Sequence, residues 1–486
     1  MQSSKIALSL ACAAMVSACG GGGGGSPAPS PTPTPVAVAP TPAPSVASCS
    51  LSDRQDFVLA QLQEWYLFPS LLDTTANKAA YADLQDYIDA VVAPARAQSR
   101  DRYFTYITSI QEEDAFYEQG TSAGFGFRLT YDIGNRRVYV IETFENTPAL
   151  DAGIDRGAEL LAITPPGGAE QTIDSLMAQG GPQAVVNALG PNDVGVTRVL
   201  RYRNAAGVET QINLGKANYQ LDPVSDRYGV KIINDNGKRV GYINLRTFID
   251  TAEGELASAF ENFGQQGVTE LIIDLRYNGG GLISVAHTLG DLMGRNRQGD
   301  VLDYLTFRES KSEENETFPF NPRPQSIAPT KIAFIGTQAT ASASELVINA
   351  MQPYLGDNMA LIGRNTYGKP VGQIAIDRPA CDDRLRVVAF RNENANRRGD
   401  YYTGLASTLS RTCVADDDPS FQLGDPRENM VATALDFLAG RSCTPISANA
   451  ARIASRERPV GRPTDGRRVL RPDRPGTVQR EVPGAF

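Results

Sequence analysis

From about Ala217 to Cys443 the chain alternates two kinds of apolar pattern, and that alternation limits the folds open to it. Val230 to Ile233 and Val240 to Leu245 are strand-like runs around Asp235-Asn236-Gly237, a dipeptide-turn signal for a hairpin. Leu256, Phe260 and Phe263 recur at helical spacing, and Leu271 to Leu275 is a short buried-strand run. A helix over Ser284 to Met293, a strand over Lys331 to Ile335, a helix over Ser344 to Tyr354 and a strand over Ala360 to Ile362 complete the series. Such alternation predicts an α/β core in layers.

The rest of the chain divides by composition. Lys5 and the apolar run Ile6 to Val16, too short to span a bilayer, read as a signal peptide over 1–18. Val16-Ser17-Ala18-Cys19 resembles a bacterial lipobox, which makes Cys19 the expected lipidation site. Gly20 after it favours the outer membrane of a Gram-negative envelope, facing the periplasm. Residues 19–48 are a Gly-run and Pro-rich linker, able to hold a folded part on the order of 70 Å from a membrane. Residues 49–120 read as a small helical domain, with Val58, Leu62 and Trp65 on one face and Leu84, Tyr87 and Val91 on the next. Residues 444–486, with nine arginines, four acids and repeated prolines, are expected to be disordered. A net charge of −9 gives no general nucleic-acid surface.

Cys49, Cys381, Cys413 and Cys443 remain beside the anchor, an even number that suits two disulfides in an exported protein. Three pairings are possible. Cys381–Cys413 and Cys49–Cys443 are favoured, the first closing a loop and the second tying the ends of the folded part. No CxxC or Cys/His zinc pattern is present, so neither a metal nor a cofactor is expected.

Over residues 121–217, Gly124-Phe125-Gly126-Phe127 precedes a strand over Arg137 to Ile141, then Thr147-Pro148-Ala149…Ala152-Gly153 and Gly157-Ala158-Glu159-Leu160. In that order these signals resemble a PDZ domain. The resemblance makes Gly124, Phe125, Gly126 and Phe127 the loop whose N–H groups would receive a peptide carboxylate while the peptide adds a strand.

Chemistry concentrates in Thr340-Ala341-Ser342-Ala343-Ser344-Glu345 and in Tyr367-Gly368-Lys369-Pro370-Val371-Gly372-Gln373. The chain's one histidine, His287, leaves a Ser-His-Asp arrangement little to draw on and reads as structural. If Ser342 is a nucleophile, its base should be a lysine. Ser344 is the competing serine, and Ser342 is favoured over it.

With Asp274-Leu275-Arg276-Tyr277-Asn278-Gly279-Gly280-Gly281, these motifs make residues 50 to 443 resemble the carboxy-terminal processing (tail-specific) peptidases of the S41 serine protease family. The resemblance implies a ClpP/crotonase-like ββα core over 218–443, preceded by a PDZ domain and an N-terminal helical cap. It further implies Ser342 as nucleophile, Lys369 as general base and Gln373 orienting the lysine. The oxyanion hole would come from Ala343 and a glycine of 279–281, Gly281 being favoured. Pro370 stands where many relatives carry glycine, and the stretch 353–358 looks slightly long.

The expected function is a lipid-anchored serine endopeptidase acting on unfolded or tail-tagged envelope proteins, with a possible adaptor lipoprotein as partner. A catalytically idle PDZ-bearing scaffold is the alternative. Acyl-CoA chemistry on a crotonase-like fold fits an exported chain poorly.

Overall fold

The computed structural model describes residues 49–446 and 467–486, all within one compact unit. The signal segment, Cys19, the linker to residue 48 and residues 447–466 lie outside the described residues. Among the described residues no helix is long and apolar enough to cross a membrane.

The central layer is a six-stranded sheet. Its order is Val230–Asp235, Lys238–Asn244, Glu270–Asp274, Lys331–Gly336, Met359–Gly363 and Thr412–Val414. The first two strands form the antiparallel hairpin that Asn236-Gly237 announces, and both turn residues take positive φ (52° and 87°) as that tight turn requires. All later pairings are parallel. Parallel strands need covered faces, and alternate side chains supply them. Leu271 and Ile273 join a core with helices Ala252–Gln265, Ile283–Met293 and Ala343–Leu355. Ile272 faces the other way, into a core with helix Asn429–Leu438.

A second sheet carries the lysine segment. Strands Val371–Arg378 and Asp383–Glu393 pair antiparallel, joined by Val301–Phe307, Glu316–Pro319 and Tyr106–Ser109. Helices Leu51–Trp65 and Leu84–Val91 pack on it through Val58, Leu62, Tyr87 and Ile88 against Leu385, Val387 and Val388. The 49–120 region is thus not helical throughout. Tyr106–Ser109 is a strand because it has a partner distant in sequence, Asp383–Glu393.

Residues 121–217 build a third sheet with its own core: Phe127–Asp132, Arg137–Thr143, Glu159–Thr164, Thr197–Arg203 and Glu209–Gly215. Helix Ile173–Leu189, broken at Gly180 and Gly181, covers one face. Strands Thr121–Gly124 and Ala217–Gln220 pair where the chain enters and leaves. Buried ion pairs fasten this region to the central layer. Arg246 meets Glu142 at 2.7 Å, and Arg156 meets Asp417 at 2.6 Å. Removing one member of such a pair costs about 3–5 kcal/mol, because the other charge stays buried.

Two expectations require correction. Residues 467–486 are ordered: Arg468–Val469 is a strand paired with Phe127–Asp132, and Thr477–Glu481 is a helix. The segment needs no core of its own. It inserts Leu470, Val482, Ala485 and Phe486, each at most 1% exposed, into cores built by the rest of the chain. The disulfides are Cys49–Cys381 and Cys413–Cys443, with Cα separations of 5.5 and 5.4 Å. Cys381 lies in the turn of the Val371–Arg378 hairpin, beside the N-terminal helix rather than beside Cys413. Cys443 follows helix Asn429–Leu438 back to strand Thr412–Val414, where the Val414 N–H donates to Thr444 O.

Non-reducing peptide mapping of the oxidised protein is expected to recover 49–381 and 413–443 linked peptides. A 381–413 linkage would contradict this topology. Replacing either pair by serine should lower unfolding free energy by about 2–4 kcal/mol in a denaturant titration.

Candidate active site

Strand Lys331–Gly336 ends in a turn that is held before the helix begins. Thr340 Oγ1 donates to Leu275 O at 2.7 Å, and the Ala341 N–H donates to Asn278 O at 3.0 Å. Ser342 then takes φ 57°, ψ −117°, as the N-cap of helix Ala343–Leu355. A β-carbon-bearing residue in such a region is strained by on the order of 1–3 kcal/mol and persists only where its surroundings fix it.

Glu345 does the fixing. Its fully buried carboxylate accepts the Ser342 N–H at 3.2 Å and the Gly368 and Lys369 N–H groups at 2.7 Å each. One side chain therefore bridges the serine turn to the lysine loop. Burial pushes its carboxyl above the ordinary value, and hydrogen bonds from Thr366 and those three amides oppose the shift. Ser-Ala-Ser-Glu spans a Ser-x-x-Glu capping-box pattern, the one sequence signal that could have marked Glu345.

Lys369 Nζ donates to Gln373 Oε1 at 2.6 Å and lies 5.3 Å from the Phe104 ring centroid. Gln373 is oriented in turn by donating Nε2 to Phe104 O. Burial holds the Lys369 ammonium below its usual value, with Glu481 pulling the other way. Ser342, Lys369, Gln373, Gly281 and Glu481 line one cavity of about 200 Å³. Ser344 lies elsewhere: it is fully buried and donates Oγ to Asn278 O. His287 is paired with Asp303 at 2.9 Å beside the Phe318 ring and does not line that cavity.

The glycine turn lies against the serine. A β-carbon on Gly280 would sit 2.8 Å from Ser342 Cβ and 3.2 Å from Ala343 N, so only glycine fits. Gly280 and Gly281 have φ of 122° and 133°, open to glycine alone. Upstream, Arg276 pairs with Asp274, Asp417 and Glu428 inside the protein. Arg128, in strand Phe127–Asp132, donates Nη1 to Tyr277 O at 2.7 Å. The loop Gly124 to Phe127 is occupied: the Gly126 and Phe127 N–H groups both donate to Phe486 O, at 2.9 and 3.4 Å. Nothing in the composition of the final segment marked Phe486 or Glu481 as residents of these sites. Among the described residues no cluster suited to a metal ion occurs.

Glu345→Gln keeps one acceptor oxygen for three N–H donors. It is expected to lower unfolding free energy by about 1–3 kcal/mol, whereas Ser344→Ala should cost about 1 kcal/mol. Equal, near-zero effects in denaturant titrations would remove Glu345 as the bridge.

Residues 239–398 match the model of peptidase family S41. The carboxyl-terminal-processing protease of Picosynechococcus is 26% identical over 260 residues, 54% of this chain and 57% of that protein. Carboxy-terminal processing protease CtpA of Bacillus subtilis is 24% identical over 282 residues, 57% of this chain and 53% of its own. The chain thus spans about half the length of these curated relatives. A solved Bacteroides fragilis structure assigned to the S41 proteases superposes with a TM-score of 0.59 at 23% identity, covering 79% of this chain and 97% of that one. The serine turn, the glycine turn and the lysine loop all fall inside residues 239–398, the span that matches peptidase family S41.

Proposed function

We propose that the protein is a serine endopeptidase in which Ser342 is the nucleophile and Lys369 the general base. The observation that carries this reading is a buried lysine, held by an amide, sharing a small cavity with a serine on a strained strand-to-helix turn. A lysine serves as base only when neutral, and burial favours that form. Neutral Lys369 would take the Ser342 proton as Oγ attacks a peptide carbonyl, then return it to the leaving amine. Water would hydrolyse the resulting ester. The Ala343 N–H at the helix N-terminus and the Gly281 N–H are the proposed oxyanion donors, each worth about 3 kcal/mol in such sites. Gln373 holds the lysine without adding a charge that would keep it protonated.

The substrates in this reading are unfolded or tail-bearing polypeptides whose C-terminal residues enter a PDZ domain over 121–217 through Gly124 to Phe127. Two disulfides support an oxidising, exported location. With the lipobox at Cys19 they favour a lipid-anchored enzyme on the outer membrane facing the periplasm, with an adaptor lipoprotein as a possible partner.

Ser342→Ala and Lys369→Ala are each expected to abolish cleavage of an unfolded reporter with an apolar C-terminal tail while leaving circular dichroism unchanged. Full activity of either would sink the mechanism. In the parent chain, turnover should rise with pH as Lys369 loses its proton, with a midpoint below the ordinary lysine value of 10.5. A limb at or above that value would show that the base is a solvated group.

A further inference from the structure

Residues 468–486 contact both the Gly124–Phe127 loop and the cavity that Ser342 and Lys369 line. The Phe127–Asp132 strand is the edge next to the loop Gly124 to Phe127. Arg468 and Val469 pair along its far half, and Leu129 N–H donates to Gly484 O at 2.9 Å in its near half. The Phe486 N–H donates to Phe127 O, its own oxygen takes the two loop amides, and its ring packs in the core with Phe125, Val186 and Leu189. This is strand addition to a sheet edge with a side chain in a pocket, the mode in which such domains hold peptides.

The same segment reaches the cavity. The Gly279 N–H donates to Glu481 O at 2.8 Å, and a β-carbon on Gly279 would fall 2.2 Å from Arg480 O. Glu481 lines the cavity with Ser342 and Lys369, accepts from Tyr117 Oη at 3.2 Å and is 7% exposed. Outer contacts secure it: Arg480 stacks on Tyr106, and Arg474 pairs with Asp83 and Asp86.

We propose that residues 468–486 are an intramolecular occupant of the peptide path, seated at both the Gly124–Phe127 loop and the Ser342–Lys369 cavity, with which an incoming polypeptide must compete. This rests on the peptidase reading for what the path is for, but the occupancy has its own test. The segment blocks rather than presents a bond for cleavage. Thr477–Glu481 is helical, with the Arg480 and Val482 N–H groups committed to Gly476 O and Val478 O, so its backbone is not extended past the serine. Glu481 also adds a carboxyl to the cavity that Lys369 lines, where its charge favours the protonated lysine. Attachment to the same chain gives such an occupant an effective concentration on the order of mM. Displacement therefore favours partners that offer both an apolar C-terminal residue and a long segment behind it.

The test compares the full chain with one lacking 467–486, each with Ser342 intact and as Ser342→Ala. A fluorescent ten-residue peptide of sequence Thr477–Phe486 is titrated into the Ser342→Ala forms. It is expected to bind the shortened form at least about tenfold more tightly. The shortened Ser342 form should cleave the unfolded reporter at least about tenfold faster, and added peptide should slow it again. Equal peptide affinity in both forms, or no binding to either, overturns the proposal. So does loss of the segment from the intact chain by Ser342-dependent self-cleavage, which would make it a substrate. If no form cleaves the reporter but the peptide still separates the two, the occupancy stands and the peptidase reading fails. If the shortened chain does not fold, Phe486→Asp with Glu481→Ala in the full chain gives the same comparison.

Discussion

The site depends on one buried carboxylate. Glu345 lies one turn into the helix that Ser342 caps, and it receives main-chain N–H groups from the serine turn and from the lysine loop. The two loops leave neighbouring strands of the central sheet, Lys331–Gly336 and Met359–Gly363, and the Tyr367 N–H donates to Thr340 O at 2.9 Å, but the lysine loop then crosses into the second sheet. A carboxyl acceptor of three amides holds the lysine end of that crossing against the serine turn, because leaving any of those buried donors unpaired costs free energy. It also explains how a serine with φ 57° survives. The strain at Ser342 is held by its own N–H bond and by the Thr340 and Ala341 contacts to Leu275 and Asn278.

Charge buried in the interior extends this logic outward. Arg276 ties the glycine turn to Asp274, Asp417 and Glu428, and Arg156 brings the 121–217 region to the same Asp417. Arg246 and Arg128 share Glu142 from opposite sides, and Arg128 also holds Tyr277 O at the start of the glycine turn. The loop Gly124 to Phe127 and the turn Gly279 to Gly281 are therefore linked through a few fully buried, geometrically demanding side chains.

What the sequence revealed, and what it did not, follows from how local each signal is. The Asn236-Gly237 hairpin, the alternation through the central sheet and the helix from residue 343 are short-range patterns and stand in the structure within a residue or two. Ser342, Lys369 and Gln373 are brought to one cavity, and Ser344 is turned away from it. The disulfide partners were misjudged because pairing depends on which sheet each cysteine reaches, and spacing along the chain does not encode that. Tyr106–Ser109 lost its helical reading to a strand partner almost 280 residues away. The final segment was misjudged most. Its few apolar residues cannot form a core, but Leu470, Val482 and Phe486 fill gaps left in cores made elsewhere. Composition reports only what a segment can do alone.

The most direct measurement of the central claim is covalent labelling of the purified chain by a serine-directed phosphonate, located by peptide mass spectrometry across a pH series. The account expects a single adduct on Ser342. Its rate of formation should climb with pH through a midpoint below 10.5 and vanish in Lys369→Ala. An adduct on Ser344, or labelling of Ser342 that is indifferent to Lys369, would contradict it.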